Sequence, residues 1–125
     1  MALALTETWW DGRVCDAEVN VPGYSLYRSD RETRGGGGSA LFINNSLTVT
    51  EDFSWGDDNN NVVAVYLSNS HTVIGSIYRT GEYQYTVGQN AIFSGNRKKF
   101  DFAKNFHVDR KLIKLYYATN EAEKF

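Results

Sequence analysis

Leu26-Tyr-Arg-Ser-Asp-Arg-Glu-Thr-Arg-Gly-Gly-Gly-Gly-Ser-Ala-Leu-Phe-Ile-Asn44 sets an arginine-rich turn against four consecutive glycines that run straight into an apolar segment. Glycine has no Cβ, so Gly35 to Gly38 are free to take positive φ and to let another backbone or a ligand come close. Such freedom is entropically costly, and a plain hairpin tip does not need four of them. A flexible hairpin tip is the simplest reading of the run taken alone. A phosphate-binding P-loop does not fit, because no Gly-Lys-Ser/Thr follows and Ala40 to Ile43 reads as strand.

Working outward, Tyr24, Leu26 and Arg28 alternate with Ser25 and Tyr27 as a strand should, after a Pro22-Gly23 turn. Ser39 to Ile43 is a second strand, and Asn44-Asn45-Ser46 turns the chain towards Leu47 to Thr50. Val62 to Leu67 and Thr72 to Tyr78 form the clearest pair, rich in β-branched residues and joined by Ser68-Asn69-Ser70-His71. Val63, Val65 and Leu67 share one face and Val62, Ala64 and Tyr66 the other. Both faces are mostly apolar, which predicts a central hairpin in a sheet covered on both sides. Gly56 to Asn61 reads as a solvent-exposed polar loop. It lacks the alternating ligands and terminal glutamate of an EF-hand. Leu3 to Thr6 reads as a strand that delivers Glu7 at its end, and Asp11 to Val21 as either a loop or a short helix. Val108, Leu112, Leu115 and Tyr116 recur at helical spacing, predicting an amphipathic helix over 108–120.

The chain has 125 residues, room for one modest core, and its 42% apolar and 14% aromatic content is that of a folding sequence. The apolar run Ala2 to Leu5 is too short to span a bilayer and has no basic flank, so an intracellular, non-secreted protein is expected. Cys15 is the single cysteine, which excludes an internal disulfide and agrees with a reducing compartment. The net charge of −2 supplies no overall basic field. Its distribution is uneven: residues 1–94 carry five arginines, no lysine and eleven acids, whereas 95–115 carry seven basic residues and two acids. That break at about residue 95, with the decay of sequence signal beyond Arg79, gives an expected organisation of a body, 1–79, and a divergent basic tail, 80–125.

Five segments in order, Leu5-Thr-Glu-Thr-Trp9, Val21-Pro-Gly-Tyr24, Tyr27-Arg-Ser-Asp-Arg31, the glycine run and Gly75-Ser-Ile-Tyr-Arg79, together resemble the endonuclease/exonuclease/phosphatase family. The likeness is to the apurinic-endonuclease-like domain of LINE-type (non-LTR) retrotransposons, and it covers about residues 3–79. It implies an α+β fold, a partial two-sheet sandwich with a C-terminal helix, that cleaves DNA phosphodiesters with Mg2+. By resemblance Glu7 is the metal ligand, Tyr78 contacts the scissile phosphate, and Arg79, Arg28 and Arg31 bind substrate. The plain alternatives are a solvated strand-end acid for Glu7 and a half-buried sheet tyrosine for Tyr78.

The departures weigh as much. The family's Gly-Asp-Phe-Asn and Ser-Asp-His groups do not occur; Phe100-Asp101-Phe102 lacks the asparagine two places after the acid, and His107 follows no Ser-Asp pair. In the family an asparagine-bearing strand and a helix precede the Thr-Glu-Thr-Trp segment, so a truncated element is expected. Hydrolysis by this route needs a metal held by more than one group and a base or oriented water. The expectation is therefore a truncated, catalytically inactive part of such a domain. Two alternatives stay open: a small nucleic-acid-binding module that uses the basic stretch 97–114, and a nuclease completed by another chain. Self-association is also expected, through an apolar sheet face of Val63, Val65, Leu67, Val73 and Ile77 left bare by missing strands.

Overall fold

The computed structural model describes residues 2–32, 35–57, 60–79, 86–87, 92–95, 98–101, 106 and 114–119. Strands dominate: β1 (Ala2–Thr6), β2 (Tyr24–Ser29), β3 (Ser39–Asn44), β4 (Glu51–Gly56), β5 (Asn60–Leu67), β6 (Thr72–Arg79), β7 (Thr86–Val87), β8 (Ile92–Gly95), β9 (Lys98–Asp101) and β10 (Lys114–Thr119). Among the described residues, two single 3-10 turns, Asp16–Val19 and Ser68–Ser70, complete the regular structure and no α-helix occurs.

This overturns the α+β sandwich with a C-terminal helix. Lys114–Thr119 is a strand lying parallel to β6, with Leu115 opposite Val73 and Tyr117 opposite Gly75. The spacing of Leu112, Leu115 and Tyr116 suits a helix, but Leu-Tyr-Tyr-Ala-Thr suits a strand equally, and a free sheet edge at β6 supplies the pairing that decides. The remainder of the expected helix, 108–113 and 120, lies outside the described residues.

The strands form three sheets, ordered β1-β3-β2, β10-β6-β5-β4 and β7-β8-β9. In the second, the β5–β6 hairpin is central, registered from Asn60 opposite Arg79 to Leu67 opposite Thr72. In the first, β3 is central and antiparallel to both neighbours, Leu41 facing Ala4 on one side and Tyr27 on the other. Leu41 and Ile43 of β3 pack onto Val63 and Val65 of β5, with Ala2, Ala4, Tyr27 and Ile74 closing around them. Small alanines on β1 let its backbone approach β6 closely enough for Ser76 Oγ to donate to the Leu5 carbonyl at 2.8 Å. The opposite face of β5 is covered as well, and Phe106 stacks on Tyr66 with ring centroids 5.9 Å apart.

The bare apolar face expected from missing strands is therefore absent: Val63, Val65, Leu67, Val73 and Ile77 are all buried. The β1-β3-β2 sheet covers Val63 and Val65, whereas Val73 and Ile77, registered opposite Tyr66 and Val62, are buried on the other face. Gly56 to Asn61 is likewise no exposed loop, since Asn60 and Asn61 are buried members of β5. Of its described residues only Gly56 is exposed. The Asp57 carboxylate accepts from the Asn60 backbone N–H at 2.8 Å, closing the β4–β5 hairpin.

Leu41 has no exposed surface, whereas Leu3 on the same sheet is 46% exposed. Leu41→Ala should cost about 2–5 kcal/mol in urea unfolding. Leu3→Ala should stay within about 0.5 kcal/mol. Equal costs at the two positions would show that the sheets do not close on Leu41.

Candidate functional site

At the end of both sheets where β2 finishes and β3 begins, three distant segments meet. The chain leaving β1 places Glu7 and Trp9 in the left-handed region, at φ 56° and 62°. For residues other than glycine, and a bulky tryptophan above all, this conformation costs on the order of 1–2 kcal/mol each. The reward is a pair of backbone hydrogen bonds to the glycine run: Glu7 N–H donates to the Gly38 carbonyl at 2.9 Å and Trp9 N–H to that of Gly37 at 3.0 Å. Between them Thr8 turns its hydroxyl inward against Gly38, while the side chains of Glu7 and Trp9 stand exposed.

The other half of the run grips Arg31. Its Nε donates to the Gly36 carbonyl at 3.1 Å and its Nη2 to that of Gly35 at 2.9 Å. Four successive glycine carbonyls thus accept from two sources, the first two from a guanidinium and the last two from the 7–9 backbone. Gly36, Gly37 and Gly38 all take positive φ to achieve this. A Cβ on Gly37 would lie 2.7 Å from Arg31 Nε and 3.0 Å from Tyr78 Cε1, so the position admits only glycine.

Tyr78 closes the cluster from the second sheet. Its ring lies under the Arg31 guanidinium, with Cζ 5.3 Å from the centroid, a cation–π contact. Asn61, opposite Tyr78 in the β5–β6 register, ties the corner to both sheets. Its Oδ1 accepts from Gly38 N–H at 3.3 Å and its Nδ2 donates to Ser29 Oγ at 3.2 Å. Its backbone carbonyl accepts from Ser39 Oγ at 3.0 Å. Three buried polar atoms nearby have no hydrogen-bond partner: Thr8 Oγ1, Arg31 Nη1 and Asn60 Oδ1. Each such atom costs about 1–3 kcal/mol in lost solvation.

Of the residues singled out from sequence, Arg31, Tyr78 and the glycines meet here, with the Glu7 backbone beside them. Arg28 does not. It lies on the other side of the loop 10–16, where all five of its N–H groups are engaged. Two carboxylates, Asp30 at 2.6 Å and Asp16 at 3.0 Å, and the carbonyls of Val14 and Asp11 take them up. Those bonds, Asp30 first, hold its pKa above the ordinary arginine value, and its guanidinium also covers Trp10 at 5.3 Å. Arg28 is a clamp on that loop, with no donor left for a phosphate. The Arg79 side chain, His107 and nearly all of the basic stretch 97–114 lie outside the described residues or their described side chains. His71 ends the β5–β6 turn in a left-handed conformation and hydrogen-bonds the Tyr66 hydroxyl at 3.2 Å.

The donor set here does not fit magnesium. Glu7 contributes one exposed carboxylate, its inward neighbours are a guanidinium and a hydroxyl, and no group of three His, Cys, Asp or Glu side chains occurs among the described residues. Magnesium gives up its water reluctantly and is not held by a single surface carboxylate. Asn61 is the member of the corner that the sequence reading passed over. Its signal was there, in the alternation Asn61, Val63, Val65 along one face of the strand. At the opposite end of the β1-β3-β2 sheet, a shallow groove of about 340 Å³ is lined by Tyr27, Ile43, Leu47 and Val49 among others. No helix among the described residues is long and apolar enough to cross a membrane.

Gly37→Ala should destabilise the protein by well over about 1 kcal/mol, because strained φ and a collision add. Gly23 has φ 82° but open space around its Cα. Gly23→Ala should cost roughly 1 kcal/mol, from φ alone. Chemical denaturation of the two variants tests the contrast, and equal losses would remove the packing against Arg31 as a constraint. In the loop beyond Trp10, the Arg13 guanidinium bonded to Asp11 lowers that carboxyl from 3.8 to about 2. What the pair adds to stability is present above pH 3.8 and is lost as pH falls through about 2. An NMR titration of Asp11 with its midpoint near 3.8 would show the pair to be absent in solution.

Comparison with protein-family models, with curated proteins and with solved structures found no match to this chain.

Proposed function

We propose that this chain derives from the metal-dependent DNA endonuclease domain of a LINE-type retrotransposon and does not hydrolyse phosphodiesters by itself. The observation that supports it is the convergence of three segments that carry the resemblance: Glu7 to Trp9, the glycine run and Tyr78. They lie about seventy residues apart in sequence, yet a Cβ built on Gly37 would touch Tyr78, and Glu7 bonds Gly38. In this reading Glu7 is the family's metal carboxylate and Tyr78 its phosphate contact, with Arg79 beside it. Arg31 holds the glycine run in place, and Mg2+ needs ligands that the corner does not supply.

Inactivity follows from the chemistry that remains. An in-line attack on phosphorus needs an oriented water, a group to take its proton and charge stabilisation at the phosphate. The sequence holds no Gly-Asp-Phe-Asn and no Ser-Asp-His to provide the first two.

Purified protein should leave supercoiled plasmid intact in magnesium or manganese, and Glu7→Ala should change nothing. Nicking that requires a divalent metal and disappears in Glu7→Ala would overturn the inactivity. The ancestry has its own check in the coding sequence around the frame, which should encode an asparagine-bearing strand upstream and Gly-Asp-Phe-Asn downstream. Unrelated flanks on both sides would remove it.

A further inference from the structure

We propose that Trp9 is a stacking platform for an unpaired nucleobase of a single-stranded nucleic acid, set beside Arg31, which pairs with no carboxylate among the described residues. The proposal rests on the nucleic-acid reading above and adds to it a ligand class and a contact residue.

Trp9 and Trp10 are adjacent and are used in opposite ways. Trp10 is half-buried beneath the Arg28 guanidinium and belongs to the fold. Trp9 is 70% exposed, the most exposed of the large apolar side chains described. It holds that position in a left-handed conformation which a tryptophan adopts only under constraint. Strained backbone of this kind gathers at functional sites. The backbone bond to Gly37 would form with any residue at position 9, so that bond does not account for an indole there.

The charge beside it selects the ligand. Arg31 is 8% exposed and forms no ion pair among the described residues, its partners being two glycine carbonyls and the Tyr78 ring. Its Nη1 has no partner at all. Arg28, by contrast, has two carboxylates. With no carboxylate beside it among the described residues, the guanidinium leaves a positive field at the nearby surface that favours an anionic ligand. Only Gly36 separates it from the indole: a Cβ built there would lie 2.8 Å from Arg31 Nη2 and 3.7 Å from two ring carbons of Trp9. A flat π surface within one residue of a fixed positive charge suits a base together with its phosphate. Stacking on an aromatic side chain is the sequence-tolerant way to hold such a strand. A paired base keeps its faces inside the duplex, so single strands should be preferred.

The test is tryptophan fluorescence of the full chain titrated with a short oligothymidylate at low salt. Oligothymidylate should quench the emission, and inorganic tripolyphosphate, which has charge but no base, should not. Trp9→Gly should weaken oligothymidylate binding about ten-fold or more, read by anisotropy of a labelled strand. Glycine suits φ 62°, so this variant should melt no lower than the parent. Trp9→Phe, which keeps a ring, should bind within a few-fold of the parent. Three results overturn the proposal: no quenching by oligothymidylate, equal quenching by tripolyphosphate, or unchanged binding in both Trp9→Gly and Trp9→Asn. Each of them leaves the endonuclease ancestry standing, which is judged by plasmid nicking and by the flanking sequence.

Discussion

The buried amide of Asn61 joins the two main sheets, and much of the fold depends on that one side chain. It has no exposed surface, and it bonds the glycine run through Oδ1 and β2 through Nδ2. Around it runs a series of serine hydroxyls that donate across the sheet interface to backbone carbonyls. Ser39 reaches Asn61, Ser29 reaches Trp55, Ser54 reaches Arg28 and Ser76 reaches Leu5. A purely apolar interface would let the sheets slide. Hydroxyls that must find particular carbonyls fix the register, because each one left unpaired costs roughly 1–3 kcal/mol. The apolar contact of Leu41 and Ile43 with Val63 and Val65 then supplies the main driving force in a geometry already specified.

Asn61 also explains why the glycines are needed. Its Oδ1 takes the Gly38 N–H, which pins the last glycine to the second sheet, while Gly37 and Gly38 offer their carbonyls to the chain leaving β1. Gly35 and Gly36 must then offer theirs to Arg31, since no other donor among the described residues reaches them. At Gly36, Gly37 and Gly38 positive φ and close neighbours leave room only for glycine, whereas a Cβ on Gly35 would meet nothing within 4 Å. The run and the arginine are mutually dependent. Without the guanidinium the carbonyls of exposed Gly35 and buried Gly36 lose their donor, and a side chain at Gly36 or Gly37 would collide with the guanidinium.

How much of this is legible in the sequence depends on the range of the interactions. The β5–β6 hairpin is local, and its faces could be read from Val62 to Leu67 because β-branched residues at period two leave little choice. The β3 strand was legible for the same reason. The 114–119 strand was not, because its partner β6 is some forty residues away and its pattern suits helix and strand alike. Parallel pairing leaves no turn signal. The burial of Asn60 and Asn61 was hidden by composition, since Gly-Asp-Asp-Asn-Asn-Asn looks like a solvated loop until the hairpin register places its last two residues inside. The missing strands of a larger sandwich suggested a bare sheet; what the count missed is that β1, β2 and β3 already suffice to cover Val63 and Val65.

The corner itself could not be read from local sequence rules. No local rule puts Glu7, Arg31 and Tyr78 together, for Glu7 follows β1, Arg31 follows β2 and Tyr78 lies in β6, and their proximity depends on the register set by Asn61 and the serines. Two arginines three residues apart, Arg28 and Arg31, read alike in the sequence and end in opposite states. One is saturated by carboxylates, and the other is buried with carbonyls and a ring for partners. The difference comes from strand parity. Arg28 falls on the outer face of β2, where the loop after Trp10 brings Asp11, Asp16 and the Val14 carbonyl within reach. Arg31 lies past the strand end, where the chain turns back under the glycines and β6 brings Tyr78 in from the second sheet. One arginine paired with carboxylates and the other with none among the described residues give this end of the molecule its polarity, and backbone register sets it.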